Sequence, residues 1–166
     1  MVALAFQIVF PVLVLYAAVS DLCTMTIPNR VSLLLAGGFL AGAPLVGLSP
    51  YDVLLHGACG LSVLAVGFVL FALRWVGGGD VKLAAATALW FGTERIVDYL
   101  LTAALGGGVL TLAILSLRSI PLPAFALGWD WLNRLHDRRS GVPYGIALAA
   151  SALLIYPTTV FWRAAV

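Results

Sequence analysis

Six long apolar runs, separated by short polar connections, dominate the pattern along this chain. They cover residues 2–19, 31–48, 53–76, 81–91, 96–117 and 142–162. A membrane-spanning α-helix needs about 20 predominantly apolar residues, and all the runs except the fourth approach or exceed this length. The pattern therefore predicts an all-α integral membrane protein, a bundle of about six transmembrane helices.

The fourth run, residues 81–91, is too short to cross a bilayer at about 1.5 Å per helical residue. We expect neighbouring helices to shelter it, with its N-terminal end open to water or to a polar cavity.

A different pattern occupies residues 124–135, where apolar and polar side chains are interspersed. The apolar members are Phe125, Leu127, Trp129, Leu132 and Leu135, and the polar members are Asp130, Asn133 and Arg134. This mixture predicts an amphipathic segment that lies in the membrane interface, with tryptophan at headgroup depth.

Composition agrees with a membrane protein. Of the 166 residues, 63% are hydrophobic and 10% charged, and the mean hydropathy is +1.09. Soluble domains are about half apolar and a quarter charged. We expect one compact domain, residues 1–166, without a cleaved signal peptide, because no basic stretch precedes the first apolar run.

Charge and cysteine usage argue against several classes of partner. A net charge of +2 without a basic run gives no support for nucleic acid binding. The two cysteines, Cys23 and Cys59, form no paired framework, and the chain contains neither C-x-x-C nor H-E-x-x-H. We therefore predict no metal site and no cofactor.

Basic residues are distributed unevenly between the two sides of the predicted bundle. Connections one, three and five contain Arg30, Arg74, Lys82, Arg118, Arg134, Arg138 and Arg139. The opposite side has only Arg95 and Arg163. Because basic connections remain in the cytoplasm, we expect both termini outside, with Asp21 and Asp80 at the cytoplasmic edge.

Residues 77–82 are the most unusual polar stretch: Gly77-Gly78-Gly79-Asp80-Val81-Lys82. An acid at a membrane edge is costly and points to a functional site. Glycines permit close backbone approach, which suggests room for an extended peptide. A flexible turn in which Asp80 caps the following helix accounts for the same residues.

Two carboxylates at one depth favour water activation by an aspartic pair. Like charges a few ångströms apart do not easily both ionise, so Asp21 and Asp80 would share one proton. The ionised partner would accept a proton from water, and the protonated partner would bind the scissile carbonyl. Alternatively, the two acids are separate helix-end residues that face cytoplasmic water.

Two motifs carry a resemblance to a known family: Asp21 followed by Ile27-Pro28-Asn29, and Gly77-Gly78-Gly79-Asp80-Val81-Lys82. They resemble the type IV prepilin peptidase family of membrane aspartic proteases, which pairs D-x6-P-N with a later G-x-G-D-x-K. Residues 142–147 resemble the proline-containing start of that family's last helix.

The resemblance implies a function. Asp21 and Asp80 would be catalytic, and the other motif residues would support the substrate: Ile27, Pro28, Asn29, Gly77, Gly78, Gly79 and Lys82. The substrate would be a prepilin or pseudopilin, membrane-anchored, whose leader peptide is cut after a glycine at the cytoplasmic face of the bacterial inner membrane. Lys82 would orient Asp80, hold a substrate carbonyl or mark the interface.

The chain also departs from the larger members of that family. Those members carry a cytoplasmic domain with two C-x-x-C pairs between the first two spans, linked to N-methylation, whereas a short loop stands here. This resembles the short form of tight-adherence (Flp-type) pilus systems, so we expect peptidase activity without methyltransferase activity. Basic residues common before Ile-Pro-Asn are replaced by Thr24-Met25-Thr26. Arg134, Arg138 and Arg139 would compensate for them, or they serve only as signals of membrane topology.

Two other functions are compatible with the residues. A small proton- or cation-coupled transporter would use Asp21 and Asp80 for coupling, since acids within membranes commonly do so. A non-catalytic pilus-assembly scaffold would tolerate the loss of either acid.

Overall fold

The computed structural model describes the backbone of residues 2–123 and 128–164, and the side chains of that part from residue 7 onward. Every regular element in these ranges is helical, which confirms the predicted all-α class. The helices are α1 (Val2–Thr24), α2 (Asn29–Leu45), α3 (Pro50–Ala72), α4 (Gly78–Arg118), α5 (Asp130–His136), α6 (Gly145–Ile155) and α7 (Val160–Arg163), with a 3₁₀ turn at Tyr156–Thr158.

Three stretches of helix are long and apolar enough to cross a membrane. They are Gln7–Thr24, Pro50–Ala72 and Gly78–Arg118, and a shorter apolar stretch covers Gly145–Thr158. Pro11 lies inside α1 without ending it, as membrane helices tolerate when neighbouring groups satisfy the freed carbonyl. These lengths indicate a membrane protein.

Helix α4 contains a break at Gly92, which has φ 58° and ψ −169°. The predicted fourth and fifth segments therefore meet at one glycine, and residues 92–95 do not form the connection that the sequence suggested. A side chain at position 92 would be strained by the positive φ and would lie 2.6 Å from the ring of His56. His56 Nδ1–H donates to the carbonyl of Leu89 at 2.6 Å, which satisfies a group near the break.

The starts of α2 and α3 follow from their sequences. Pro28 is extended (φ −63°, ψ 135°) and directly precedes α2, in line with proline's role beside helix starts. Ser49 and Asp52 form a capping box at the start of α3, with two reciprocal hydrogen bonds of 3.2 Å between backbone and side chain.

Helix α4 is the centre of the bundle, because α2, α3 and α6 all pack against it. A buried aromatic cluster surrounds Trp90 near the break, and Trp90 Nε1 donates to the carbonyl of Leu35 at 2.9 Å. Phe161 lies 4.6 Å from Trp90 between ring centroids, and Phe10 stacks on Tyr156 at 4.2 Å. Ten residues separate Trp90 from Asp80, about 15 Å along a helix, so the aromatic core anchors the end remote from the acid.

The connection between α4 and α6 is fastened by Arg118. Its guanidinium donates to the carbonyls of Leu135, Ser140 and Gly141 at 2.8, 3.1 and 2.9 Å. Within the predicted amphipathic segment, residues 124–127, with Phe125 and Leu127, lie outside the described residues. The described remainder includes α5, in which Asp130 is exposed and Leu135 is buried.

Candidate active site

Asp21 lies near the C-terminal end of α1 and is buried, with 6% of its surface exposed. Its Oδ2 accepts a hydrogen bond from the backbone N–H of Gly145 at 2.7 Å. Gly145 is the first residue of α6, and the N-terminal end of a helix favours a negative charge. The start of α6 therefore orients this carboxyl group.

Gly145 is a site residue that the sequence interpretation did not single out. A Cβ at this position would lie 2.8 Å from Asp21 Oδ2 and 2.9 Å from Ile27 Cδ1. Only glycine fits without displacing these groups. The sequence did contain one indication of its importance, because Gly145 lies within residues 142–147, which resemble the start of the family's last helix.

Asp80 lies in the first turn of α4 and is half-buried. Its carboxyl group lies beside the backbone of Gly77, the residue directly before the helix, where an added Cβ would lie 2.7 Å from Asp80 Oδ2. A carboxyl group in the first turn is compatible with both the capping interpretation and the functional interpretation of Asp80.

The structure brings Asp21 and Asp80 together. Both residues line one cavity of about 640 Å³. The rest of the wall comes from the residue after α1, the α3–α4 connection, the second half of α4 and the connection before α6: Met25, Arg74, Trp75, Val76, Gly77, Thr111, Gly141, Val142 and Tyr144. The cavity is therefore assembled from four parts of the chain.

Ile27 holds the two motifs together. It is buried, and it packs between Gly79 and Gly145, where added Cβ atoms would lie 3.2 and 2.9 Å from its side chain. Because Asp80 follows Gly79 and Asp21 binds Gly145, Ile27 sets the separation of the elements that carry the two acids.

Lys82 and Asn29 form a second link between the motifs. Lys82 Nζ donates to Asn29 Oδ1 at 2.9 Å, across 53 residues of sequence. Both side chains are exposed. Pro28, which lies between Ile27 and Asn29 in the sequence, directs the chain into α2. This contact fastens the start of α2 to α4, and the three roles considered for Lys82 stay predictions.

The three motif glycines have different neighbours. Of these, Gly77 lies beside the Asp80 carboxyl group and lines the cavity. Gly78 faces the ring of Phe71 at 3.2 Å, and Gly79 faces Ile27. Each of the three glycines therefore leaves room for a side chain of the protein itself, and the expectation that they make room for a peptide stays a prediction.

Two residues on the cavity wall have strained backbones. Met25 (φ 54°) and Arg74 (φ 62°) are left-handed although neither is glycine. Such conformations cost about 1–3 kcal/mol each and cluster at functional sites. The sequence contained no signal for either, because methionine and arginine do not mark left-handed positions.

Tyr144 connects the cavity to the second half of α4. Its ring packs against Gly107, where a Cβ would collide with the phenol group. Gly107, in the glycine run at 106–108, therefore positions a side chain on the cavity wall.

Of the three arginines expected to compensate for the missing basic residues, Arg134 approaches the site. Its Nη1 donates to the carbonyl of Cys23 at 2.6 Å, two residues beyond Asp21. Arg138 and Arg139 are exposed. Among the described side chains, no three His, Cys, Asp or Glu residues are grouped so as to hold a metal ion.

Comparison with known proteins gives one family. The sequence profile described as "Type IV leader peptidase family" matches residues 8–112, which include Asp21, Asp80 and both motifs. The chain is similar to the prepilin leader peptidase/N-methyltransferase of Bacillus subtilis (strain 168), at 32% identity over 155 residues. That match covers 90% of this chain and 54% of the relative, so the chain spans about half the relative's length. No solved structure matches the chain significantly.

Proposed function

This chain belongs to the type IV leader peptidase family, and from that premise we propose that it is a membrane-embedded aspartic endopeptidase. Its substrates are prepilins or pseudopilins, of the Flp type by the resemblance described above. It removes their leader peptide, and Asp21 and Asp80 are its catalytic residues.

One observation carries this proposal: Asp21 and Asp80, distant in sequence, line the same cavity. If the two acids were unrelated residues at helix ends, their surroundings would not need to be connected, yet the same buried side chain contacts the supports of both. Gly145 donates to the Asp21 carboxyl group, the backbone of Gly77 lies beside the Asp80 carboxyl group, and Ile27 packs between the supporting elements.

The arrangement suits hydrolysis of a peptide bond. The ionised carboxylate accepts a proton from water as the water oxygen attacks the scissile carbonyl carbon. The protonated carboxyl group donates to the carbonyl oxygen and stabilises the charge that develops there. When the tetrahedral intermediate collapses, the C–N bond breaks and the leaving amine receives the proton taken from water.

We place the bundle in the bacterial inner membrane with six crossings. These are α1, α2, α3, the sections of α4 before and after Gly92, and α6 continued by the 3₁₀ turn and α7. The basic residues of connections one, three and five orient both termini outside, so that the two acids lie at the cytoplasmic face. A leader that emerges into the cytoplasm would reach the cavity at that depth.

We expect no methyltransferase activity from the segment between α1 and α2. Only residues 25–28 lie between these helices, which leaves no room there for a folded domain. We also expect no cofactor, since two carboxyl groups and water suffice for the proposed chemistry.

The proposal is tested with the purified chain in liposomes and a purified Flp-type prepilin. We expect a product shortened by the leader, identified by mass spectrometry, and its loss in Asp80→Asn. The matched control is Asp98→Asn, because Asp98 is exposed and its ion pair with Arg95 is long, at 3.5 Å. Full cleavage by Asp80→Asn would refute the aspartic mechanism, and absence of cleavage by the unsubstituted chain would favour the scaffold function. Proton or cation uptake without cleavage would favour a transporter.

A further inference from the structure

Two apolar grooves run along opposite sides of α4. The first, of about 350 Å³, lies between α3, α4 and α6, and residues 62–70 of α3 form one wall. The second, of about 420 Å³, lies between α2, α3 and α4. Helix α3 packs mainly on α4, so both of its sides are left open to the membrane.

The grooves end at different groups. The first ends at Asp80, and it shares Val76, Asp80 and Tyr144 with the cavity that holds the two acids. The second ends at Asn29 and Lys82, which are joined by a hydrogen bond. Successive helical residues are rotated by about 100°, so Asp80 and Lys82 point to nearly opposite sides of α4. Of these two grooves, the first is continuous with the acid cavity.

We propose that the groove between α3, α4 and α6 receives the apolar helix of the substrate, with Tyr144 at the point where the peptide enters the acid cavity. This proposal rests on the proposed function and adds where the membrane-embedded part of the prepilin binds.

The chemistry of the groove fits an apolar helix. Besides Asp80 at its end, the lining is aliphatic or small, and its only other polar side chains are Ser62 and Tyr144. Gly67 lets α3 and α4 approach each other, since a Cβ there would lie 2.5 Å from Val81 Cγ1, and Ala84 adds a small side chain to the lining. The wall from residue 62 to residue 70 extends about 12 Å, or roughly two helical turns. A helix seated there would present its end to Asp80.

Positions on α3 provide matched probes for the two grooves. Val66 lines the first groove and Leu61 lines the second. Their exposed fractions are nearly equal, at 62% and 67%. A difference in substrate labelling between these two positions therefore reports which groove the substrate occupies, because both positions are almost equally exposed.

The test is photo-cross-linking to a full-length prepilin. The photoreactive residue p-benzoylphenylalanine is placed at Val66 or at Leu61, in an Asp21→Asn background that retains substrate and leaves the first groove unaltered. We expect cross-linking at Val66, mapped to the apolar helix of the prepilin, to exceed that at Leu61 about tenfold, the discrimination expected of one well-packed pocket. Equal labelling, preferential labelling at Leu61, or products containing only lipid or a second copy of the chain would overturn the proposal.

A kinetic measurement separates substrate binding from folding defects. Val66→Trp should raise KM about tenfold for full-length prepilin and leave cleavage of a soluble leader peptide, which lacks the apolar helix, nearly unchanged. Leu61→Trp should alter neither. Equal effects of Val66→Trp on both substrates would contradict the inference.

The two proposals fail separately. Cross-linking does not require cleavage, so labelling at Val66 together with no proteolysis by the chain that retains Asp21 would refute the catalytic proposal alone. Proteolysis with labelling at Leu61 would refute the groove alone.

Discussion

Replacing Gly145 by alanine should impair catalysis more than folding. The new Cβ would lie 2.8 Å from Asp21 Oδ2, about 0.6 Å short of an ordinary contact of 3.4 Å. It would also press on Ile27 Cδ1 at 2.9 Å. To avoid both close contacts, the Asp21 carboxyl group must move away from the backbone N–H of residue 145, which donates to it at 2.7 Å.

The magnitude follows from these displacements. A misplacement of 1 Å can cost about 100-fold in rate, so a shift of about 0.6 Å should lower kcat by roughly tenfold or more. Overpacking costs about 1–3 kcal/mol of stability, and the better helix propensity of alanine returns up to about 1 kcal/mol. The folded protein should therefore persist with a much slower reaction.

The assay compares kcat for prepilin cleavage with the thermal unfolding midpoint in the same detergent. The matched control is Gly106→Ala, which also lies at the α4–α6 contact. Its added Cβ would lie 3.9 Å from Ser151 and 4.0 Å from Ala147, which are ordinary contact distances. We expect the control to retain the wild-type rate. A wild-type kcat in Gly145→Ala would refute the argument that this glycine positions the acid.

Four further outcomes are expected. Lys82→Met and Asn29→Ala should each cost at most about 1 kcal/mol of stability, since both side chains are exposed, and the double mutant should match either single mutant; additive losses would show that they do not act together. Gly107→Ala should lower kcat as well as the unfolding midpoint, because it displaces a tyrosine on the cavity wall; loss of stability alone would contradict this. In accessibility labelling, Arg138→Cys should react only from the cytoplasm and Asp52→Cys only from outside, and the reverse would remove the proposed orientation. The rate should show a bell-shaped pH dependence, because only the singly protonated pair is competent, whereas a single-sided profile would argue against a shared proton.

Much of the fold could be predicted because apolar runs report directly on helices in a membrane protein. The predicted run 53–76 corresponds to α3 (Pro50–Ala72), and the predicted run 31–48 corresponds to α2 (Asn29–Leu45). The break at Gly92 was harder to predict. A glycine in a helical run is compatible with continuation, and what decides the break is φ 58° beside the ring of His56.

The two candidate acids could be predicted from the sequence, whereas the residues that hold them in place were harder to predict. Asp21 and Asp80 stand out because charged residues are scarce at membrane edges. The contacts of Ile27 with Gly79 and Gly145 depend on how three separate elements pack, which no local pattern specifies. The left-handed conformation of Met25 is likewise imposed by its surroundings.

The central claim, that Asp21 and Asp80 act as one catalytic unit, is tested most directly by the single-turnover rate of prepilin cleavage in Asp21→Asn, Asp80→Asn and the double variant. Each asparagine preserves size and hydrogen bonding but removes one of the two groups that must exchange the proton. We predict that each single variant loses nearly all activity and that the double variant is little worse, because residues that act as a unit are strongly non-additive. Substantial cleavage by either single variant, with insertion and folding verified, or losses that multiply in the double variant, would contradict the account.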